Sequence, residues 1–275
     1  MNDNNCVNCP AGKKRHLHKQ SKLKIGIIGV GQIGGTLIRQ YSKAGHHVKM
    51  ANSSGIEKLR TLALETGASG VTLTDVARDV DVVVISIPLI EVPKLPRELF
   101  KNASPGTTFI DTCNYYPIRD GRIEDIENGM PESVWVSNRI GRRVIKAYNN
   151  ILAGSLVCSG HLKGDPLRLA LPIAGDNKQS KDLVSTLLDD SGFDCLDYGT
   201  LQDSWRQQPG SPVYCTDLTL PQVKKSIEKA RRELLPERRD LGLAFIMKHD
   251  PTLWMNWWPE FANHNRVIYE SDLGV

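Results

Sequence analysis

The chain has 275 residues, with 35 Lys+Arg against 31 Asp+Glu, for a formal net charge of +4. That length holds one large domain or two modest ones, and either can bury a core. Residues 1–24 contribute six basic side chains and one acid, Asp3, which leaves 29 basic and 30 acidic groups in residues 25–275. A nucleic-acid binder carries basic charge on its folded body, so a near-neutral body disfavours that class. Hydrophobic residues make up 40% of the chain and charged ones 24%, as in ordinary globular proteins. No apolar run reaches the roughly 18–20 residues of a membrane-spanning helix, so no membrane partner is expected. The basic N-terminus lacks the apolar stretch of a secretory signal. Six scattered cysteines make no disulfide framework, and a reducing cytoplasm is the expected setting.

In chain order, residues 1–22 read as a basic polar leader without stable structure. Its Cys6-x-x-Cys9 and His16-x-His18 are metal-ligand types, but the His spacing is too short and no apolar residues surround them. No metal site is expected. Leu23 to Gly29 is an apolar, β-branched run ending in glycine, a buried strand. A helix follows over 33–45, then a strand at His47–Asn52, a helix at Gly55–Thr66 and a short strand at Val71–Leu73. Asp81–Ile87 and Thr107–Asp111 are further strands. The alternation continues with a strand at Arg143–Tyr148, a helix at Ile151–Val157, a strand at Leu169–Ala174, a helix at Lys178–Ser191 and a strand at Phe193–Tyr198. Strands alternating with helices predict an α/β fold, a Rossmann-type, doubly wound, mostly parallel sheet. Residues 23–142 are expected to form the dinucleotide-binding domain and 143–215 a smaller α/β portion on the acceptor side. Residues 216–275 are expected to form a helical extension, whose interleaved charges mark a solvated face. Trp254, Trp257, Trp258 and Phe261 lie at helical spacing and suit packing or a homodimer interface.

Gly29-Val-Gly31-Gln-Ile-Gly34 sits between the first strand and the first helix. Gly29 permits the tight turn, Gly31 lets the backbone approach a pyrophosphate, and Gly34 allows close helix–sheet packing. The phosphates would rest on helix N-terminal amides near Gln32 and Ile33. An NAD site presents Asp or Glu after the second strand. This chain has Asn52-Ser53-Ser54-Gly55 there, with Lys58 beyond, which suits the 2′-phosphate of NADP. Ile87 and Pro88 end the fourth strand where a nicotinamide would cross the sheet. Asn114 and Tyr115 follow the fifth strand, and Trp205 and Arg206 place an aromatic face beside a guanidinium; these four are candidate acceptor contacts. Lys146 and Asn149, after the sixth strand, could polarise a substrate carbonyl. Cys158 and His161 lie close in sequence but lack a third orienting group.

The ordered set of the glycine loop, the Asn52–Gly55 turn, Val144-Ile-Lys-Ala-Tyr-Asn149, Leu171-Pro-Ile-Ala-Gly175-Asp176 and Gly192 through Gly199 resembles the deazaflavin-dependent NADP oxidoreductase family, from about Leu23 to Tyr214. The cytoplasmic domains of six-transmembrane metalloreductases are similar. The resemblance implies hydride transfer between NADP(H) and a flat small-molecule acceptor, a deazaflavin or a flavin. It places Gly29, Gly31, Gln32, Ile33 and Gly34 at the pyrophosphate and Asn52, Ser53 and Ser54 at the 2′-phosphate. Ser54 stands where the family commonly has Arg, and Asn149 where archaeal members look to have His. Two other readings stay open. One is a β-hydroxyacid-dehydrogenase-like enzyme working through Lys146 and Asn149; the other is a non-catalytic NADP-sensing module.

Overall fold

A computed structural model describes residues 22–270. The leader, with Cys6, Cys9, His16 and His18, lies almost wholly outside the described residues. The chain opens with β1 (Lys24–Ile28), α1 (Gln32–Ala44) and β2 (His47–Ala51). A 3-10 turn at Ile56–Leu59 precedes α2 (Arg60–Thr66), followed by β3 (Ser69–Gly70) and β4 (Val82–Ile85). Next come α3 (Arg97–Asn102), β5 (Thr108–Asp111), α4 (Pro117–Asp120), α5 (Glu124–Glu127), α6 (Glu132–Ile140) and β6 (Val144–Lys146). The remaining elements are α7 (Ala153–Cys158), β7 (Ala170–Ala174), α8 (Lys178–Ser191), β8 (Asp194–Gly199), a 3-10 segment at Leu201–Gln207, α9 (Leu220–Ile227), α10 (Leu235–Ile246) and α11 (Trp254–Ile268).

The eight strands form one sheet in the order β3-β2-β1-β4-β5-β6-β7-β8. All neighbouring pairs run parallel except β6 and β7. The fully apolar β4 follows from this: Val82 and Val84 enter the core under α1 and α8, while Val83 and Ile85 enter the opposite core with Leu99, Trp135 and Val136. Successive side chains of a strand point to opposite faces, so a strand covered on both sides reads as continuously apolar. The expected α/β class and mostly parallel sheet are what the structure has.

The reversal at β7 has a local cause. After α7 the chain does not return to the amino edge of the sheet. Residues 159–169 stay with the start of β8, where the His161 N–H donates to the Gly192 carbonyl at 3.0 Å. The buried Arg168 side chain donates there to the carbonyls of His161 and Phe193 and to Asp189 Oδ1. Without a crossover, the next strand can only run antiparallel.

Three expectations need correction. The short third strand lies at Ser69–Gly70 rather than Val71–Leu73, because Thr72 Oγ1 donates to Asp75 Oδ2 and turns the chain out of the sheet. The helix expected from Gly55 begins as a 3-10 turn and becomes α-helical only at Arg60. Helices α3 to α6 were not foreseen: each spans four to nine residues, too few turns to display a helical period.

Candidate functional site at the carboxyl edge

The sheet order changes direction between β1 and β4, so the crevice above their carboxyl ends is where a doubly wound fold receives a dinucleotide. Gly29 turns the chain there with φ of +95°, a value L side chains rarely adopt, and a Cβ on it would lie 2.1 Å from the Ser86 carbonyl oxygen. Gly34 is sealed in the same way: its Cβ would meet the Gly29 carbonyl oxygen at 2.1 Å. Gly31, the N-cap of α1, has nothing within 4 Å of its Cβ position. Two glycines thus pack the turn against the sheet while the third leaves open backbone at a helix N-terminus. No acidic side chain occupies the first turn of α1, so its amide groups favour an anion. Gln32 is exposed and Ile33 half-buried.

At the end of β2, Asn52 Oδ1 accepts the Ser54 N–H at 3.1 Å, a turn that leaves Ser53 and Ser54 exposed. Gly55 follows with φ of +88°, and exposed Lys58 sits in the next 3-10 turn. The residues from Ala51 to Gly55 include no carboxylate. Ile87 is half-buried, with Cγ2 2.8 Å from the Cβ position of Gly29, and Pro88 is exposed. These two therefore flank the glycine turn.

Toward β5 and β6 the site becomes a buried polar assembly. Asn149 donates through Nδ2 to Asn114 Oδ1 (3.0 Å) and to the Gln207 carbonyl (2.7 Å), and its Oδ1 accepts Gln207 Nε2 (2.8 Å). Asn114 Nδ2 donates back to the Asn149 carbonyl at 2.8 Å, and the Tyr214 hydroxyl lies 3.4 Å from it. The Tyr116 and Tyr214 hydroxyls are 2.6 Å apart. Asn149 is only 2% exposed, and its amide joins Asn114 to Gln207.

Lys146, at the end of β6, is completely buried. Its ammonium lies 3.4 Å from Asp111 Oδ2 and 3.6 Å from Glu132 Oε2, and it donates to the Cys113 carbonyl. Asp111 also accepts the Ser133 hydroxyl at 2.6 Å and the Cys113 N–H at 2.9 Å. Burial opposes the charge of Lys146, but Asp111 and Glu132 outweigh it and raise its pKa. Glu132 is pushed up to about 7, chiefly by burial and further by Asp111, against the opposing pull of Lys146. A lysine so enclosed does not polarise a substrate carbonyl directly, which corrects the role first expected for it.

The expected acceptor residues separate. Asn114 joins Asn149, whereas Tyr115 is buried, its hydroxyl donating to Glu127 Oε1 (2.7 Å) with the Gly121 carbonyl 3.1 Å away. Tyr115 and Trp205 line a different cavity of about 380 Å³, beside Glu132, Met130 and Leu235. The Arg206 guanidinium lies over the Trp205 ring at 4.7 Å. Glu132, Asp111, Gln207 and Tyr214 had not been singled out by role; no local spacing marks them, and the tertiary fold assembles them. The His161 ring turns to Asp165 (3.0 Å) rather than to Cys158.

The C-terminal helices pack on their own chain. The Trp258 ring lies over Gly154, with Cδ1 2.2 Å from that residue's Cβ position. Trp257 Nε1 donates to the Asp250 carbonyl at 2.9 Å. Asn265 and Arg266 donate to carbonyls of residues 214–217. Among the described residues no helix is long and apolar enough to cross a membrane.

Residues 24–115 match the family model described as NADP oxidoreductase, coenzyme F420-dependent. Over 70 residues the chain is 36% identical to the protein YjhV of Escherichia coli K12, a match taking in 26% of this chain and 51% of that protein, about half its length. The crystal structure of a hypothetical protein, SMa0349 from Sinorhizobium meliloti, superposes with a TM-score of 0.61 at 26% identity, over 73% of this chain and 95% of that one. A candidate F420-dependent NADP reductase from Arthrobacter sp. FB24 superposes with a TM-score of 0.55 at 20% identity, over 65% of this chain and 86% of that one. Residues 24–115 therefore carry the domain that the NADP oxidoreductase family model describes, within a Rossmann-like fold shared with dinucleotide-binding proteins.

Proposed function

We propose that the protein is an NADP(H)-dependent oxidoreductase that passes hydride between the nicotinamide and a flat acceptor, a deazaflavin or a flavin. The observation that carries this reading is the division of labour in the glycine loop. Gly29 and Gly34 are packed shut while Gly31 stays open at the start of α1, the arrangement a bound pyrophosphate requires. The match over residues 24–115 supports it. Amides of Gln32 and Ile33 would hold the pyrophosphate. Ser53, Ser54 and Lys58 would hold the 2′-phosphate, which the missing carboxylate after β2 leaves unopposed.

When bound, the dinucleotide supplies or accepts a hydride at its nicotinamide ring. The chain's own contribution is to place two rings face to face and keep water away, which needs no nucleophile. Ile87 and Pro88 would form the apolar floor, and Asn114, fixed by Asn149, would present a polar wall. Enclosure of Lys146 and engagement of Asn149 speak against the β-hydroxyacid-dehydrogenase-like reading, which uses that pair. Stopped-flow mixing with NADPH and a panel of flavins and deazaflavins tests the proposal by loss of NADPH absorbance. Oxidation by at least one acceptor is expected; tight NADP binding with no oxidation by any of them would favour a sensing module instead.

A further inference from the structure

Glu132 is a buried ionisable group that the proposed hydride transfer does not use. It begins α6, its side chain is 3% exposed, and it stands between two charges of opposite sign, Lys146 and Asp111. If both carboxylates ionise, the enclosed trio carries one net negative charge, which a low-dielectric interior disfavours. Glu132 is the carboxylate less well stabilised. Asp111 accepts two hydrogen bonds, from Ser133 and the Cys113 amide, in addition to the ammonium. Glu132 Oε2 has no hydrogen-bond donor, and the Lys146 ammonium is 3.6 Å away.

The remaining contacts of Glu132 lead to the Asn149 assembly. Its carboxyl faces the backbone N–H of Tyr115 and the Gln208 side chain. Its own N–H donates to Gln208 Oε1 at 3.2 Å. Tyr115 is the neighbour of Asn114, and Gln208 the neighbour of Gln207, so Glu132 grips the two segments whose adjoining side chains clamp the Asn149 amide. We infer that Glu132 is a positioning residue whose ionisation state sets how Asn149 and Asn114 are held at the carboxyl edge.

The cavity of about 380 Å³ that Glu132 helps to line gives a proton a route to the group. Other charges face it from every side. Lys146 belongs to β6, Asp111 ends β5, and the buried Tyr116 hydroxyl lies in the following loop. Across the cavity stand Glu127 of α5, Arg232 and Glu233, and Arg239 of α10. Of these, Glu127 is engaged by Tyr115, Arg232 by the Gly129 carbonyl, Glu233 by Arg231 and Arg239 by Asp240, which leaves Lys146 and Asp111 as the charges that act on Glu132. Proton loss adds a charge that draws on Lys146, on the Tyr115 N–H and on the Gln208 side chain; proton gain removes it. This role bears on catalysis only if the acceptor sits beside Asn114, as proposed above, but the coupling itself does not depend on an acceptor.

Nuclear magnetic resonance on the full chain, with labelled Glu carboxyls and Asn and Gln side-chain amides, tests the coupling between pH 5.5 and 8.5. One glutamate is expected to titrate near pH 7, with the Asn114 and Asn149 amide signals moving at the same midpoint. In Glu132→Gln, which keeps the shape and removes the titration, those amides should stand still. Amides that stay fixed in the natural protein, or move equally in the variant, would overturn the inference. Should the variant fail to fold, a Glu132 carboxyl titrating in the ordinary range in the natural protein would overturn it equally. With an acceptor found by stopped flow, the kcat profile should lose its break near pH 7 in Glu132→Gln while KM for NADPH holds. A panel without any acceptor would count against the hydride-transfer reading and leave the resonance result standing.

Discussion

Gly29 and Gly31 are two residues apart and do opposite work. At Gly29 a methyl group would meet the Ser86 carbonyl and the backbone is left-handed, so Gly29→Ala should destabilise the fold by about 2–4 kcal/mol. Gly31→Ala should leave stability within about 0.5 kcal/mol and weaken NADP binding; urea denaturation and calorimetry separate the two. Lys146→Met strands Asp111 and Glu132 in the interior and should cost about 3–5 kcal/mol, with Asp111→Asn in the same chain recovering part of it. Glu132 binds its proton more tightly folded than unfolded, being pushed up to about 7 by burial. Its contribution to stability is therefore fullest at acid pH and is lost as pH rises toward and through 7. Between pH 6 and 8 the natural protein should lose about 1 kcal/mol of stability that Glu132→Gln does not lose, measurable by denaturant titration at the two pH values. The glycines were legible in the sequence because a turn imposes a spacing. Glu132 was not, since nothing within a few residues of it hints at Lys146, fourteen positions away and across an element boundary.

At the scale of elements, the β2 exit carries the proposed preference for NADP. Ser53 and Ser54 are exposed on a turn that Asn52 fixes through its own side chain. Ser53→Asp should repel the 2′-phosphate and engage a ribose hydroxyl instead, shifting preference from NADP toward NAD by about tenfold or more, which is about 1.4 kcal/mol; paired affinity measurements check it. Strands β1, β2 and β4 to β8 lie within a few residues of their expected places because each is a short apolar run bounded by turn residues. Helices α3 to α6 escaped because they are one to three turns long, and α3, α5 and α6 draw their stability from packing on the core around Phe109, Val83 and Val144 rather than from a periodic face of their own. The same gap hid the segment that supplies Glu132 and Ser133.

For the molecule as a whole, the charge and the site lie in different places. The net positive charge belongs to the leader, whereas the proposed anion contacts are backbone amides and a few side chains between Gly29 and Lys58. Removal of residues 1–21 should therefore leave NADP affinity within about twofold, read by calorimetry. The C-terminal helices draw the molecule's far end back onto its middle. Trp258 covers Gly154, and Asn265 and Arg266 tie down residues 214–217, where Cys215 and Asp217 hold left-handed backbone with φ of 54° and 52°. Tyr214 is thereby kept against Tyr116 and Asn114.

The sequence by itself determined the strand–helix alternation, the glycine loop and the uncharged turn after β2, because each is a local pattern whose physics acts within a few residues. Only the tertiary structure decided the surroundings of Lys146, Asn149 and Tyr115. Lys146 looked available on a strand end and is sealed against two carboxylates; Asn149 looked catalytic and is spent on Asn114 and Gln207. Burial and charge pairing depend on what the rest of the chain brings alongside. That is fixed by the order of strands in the sheet rather than by the order of residues along the chain.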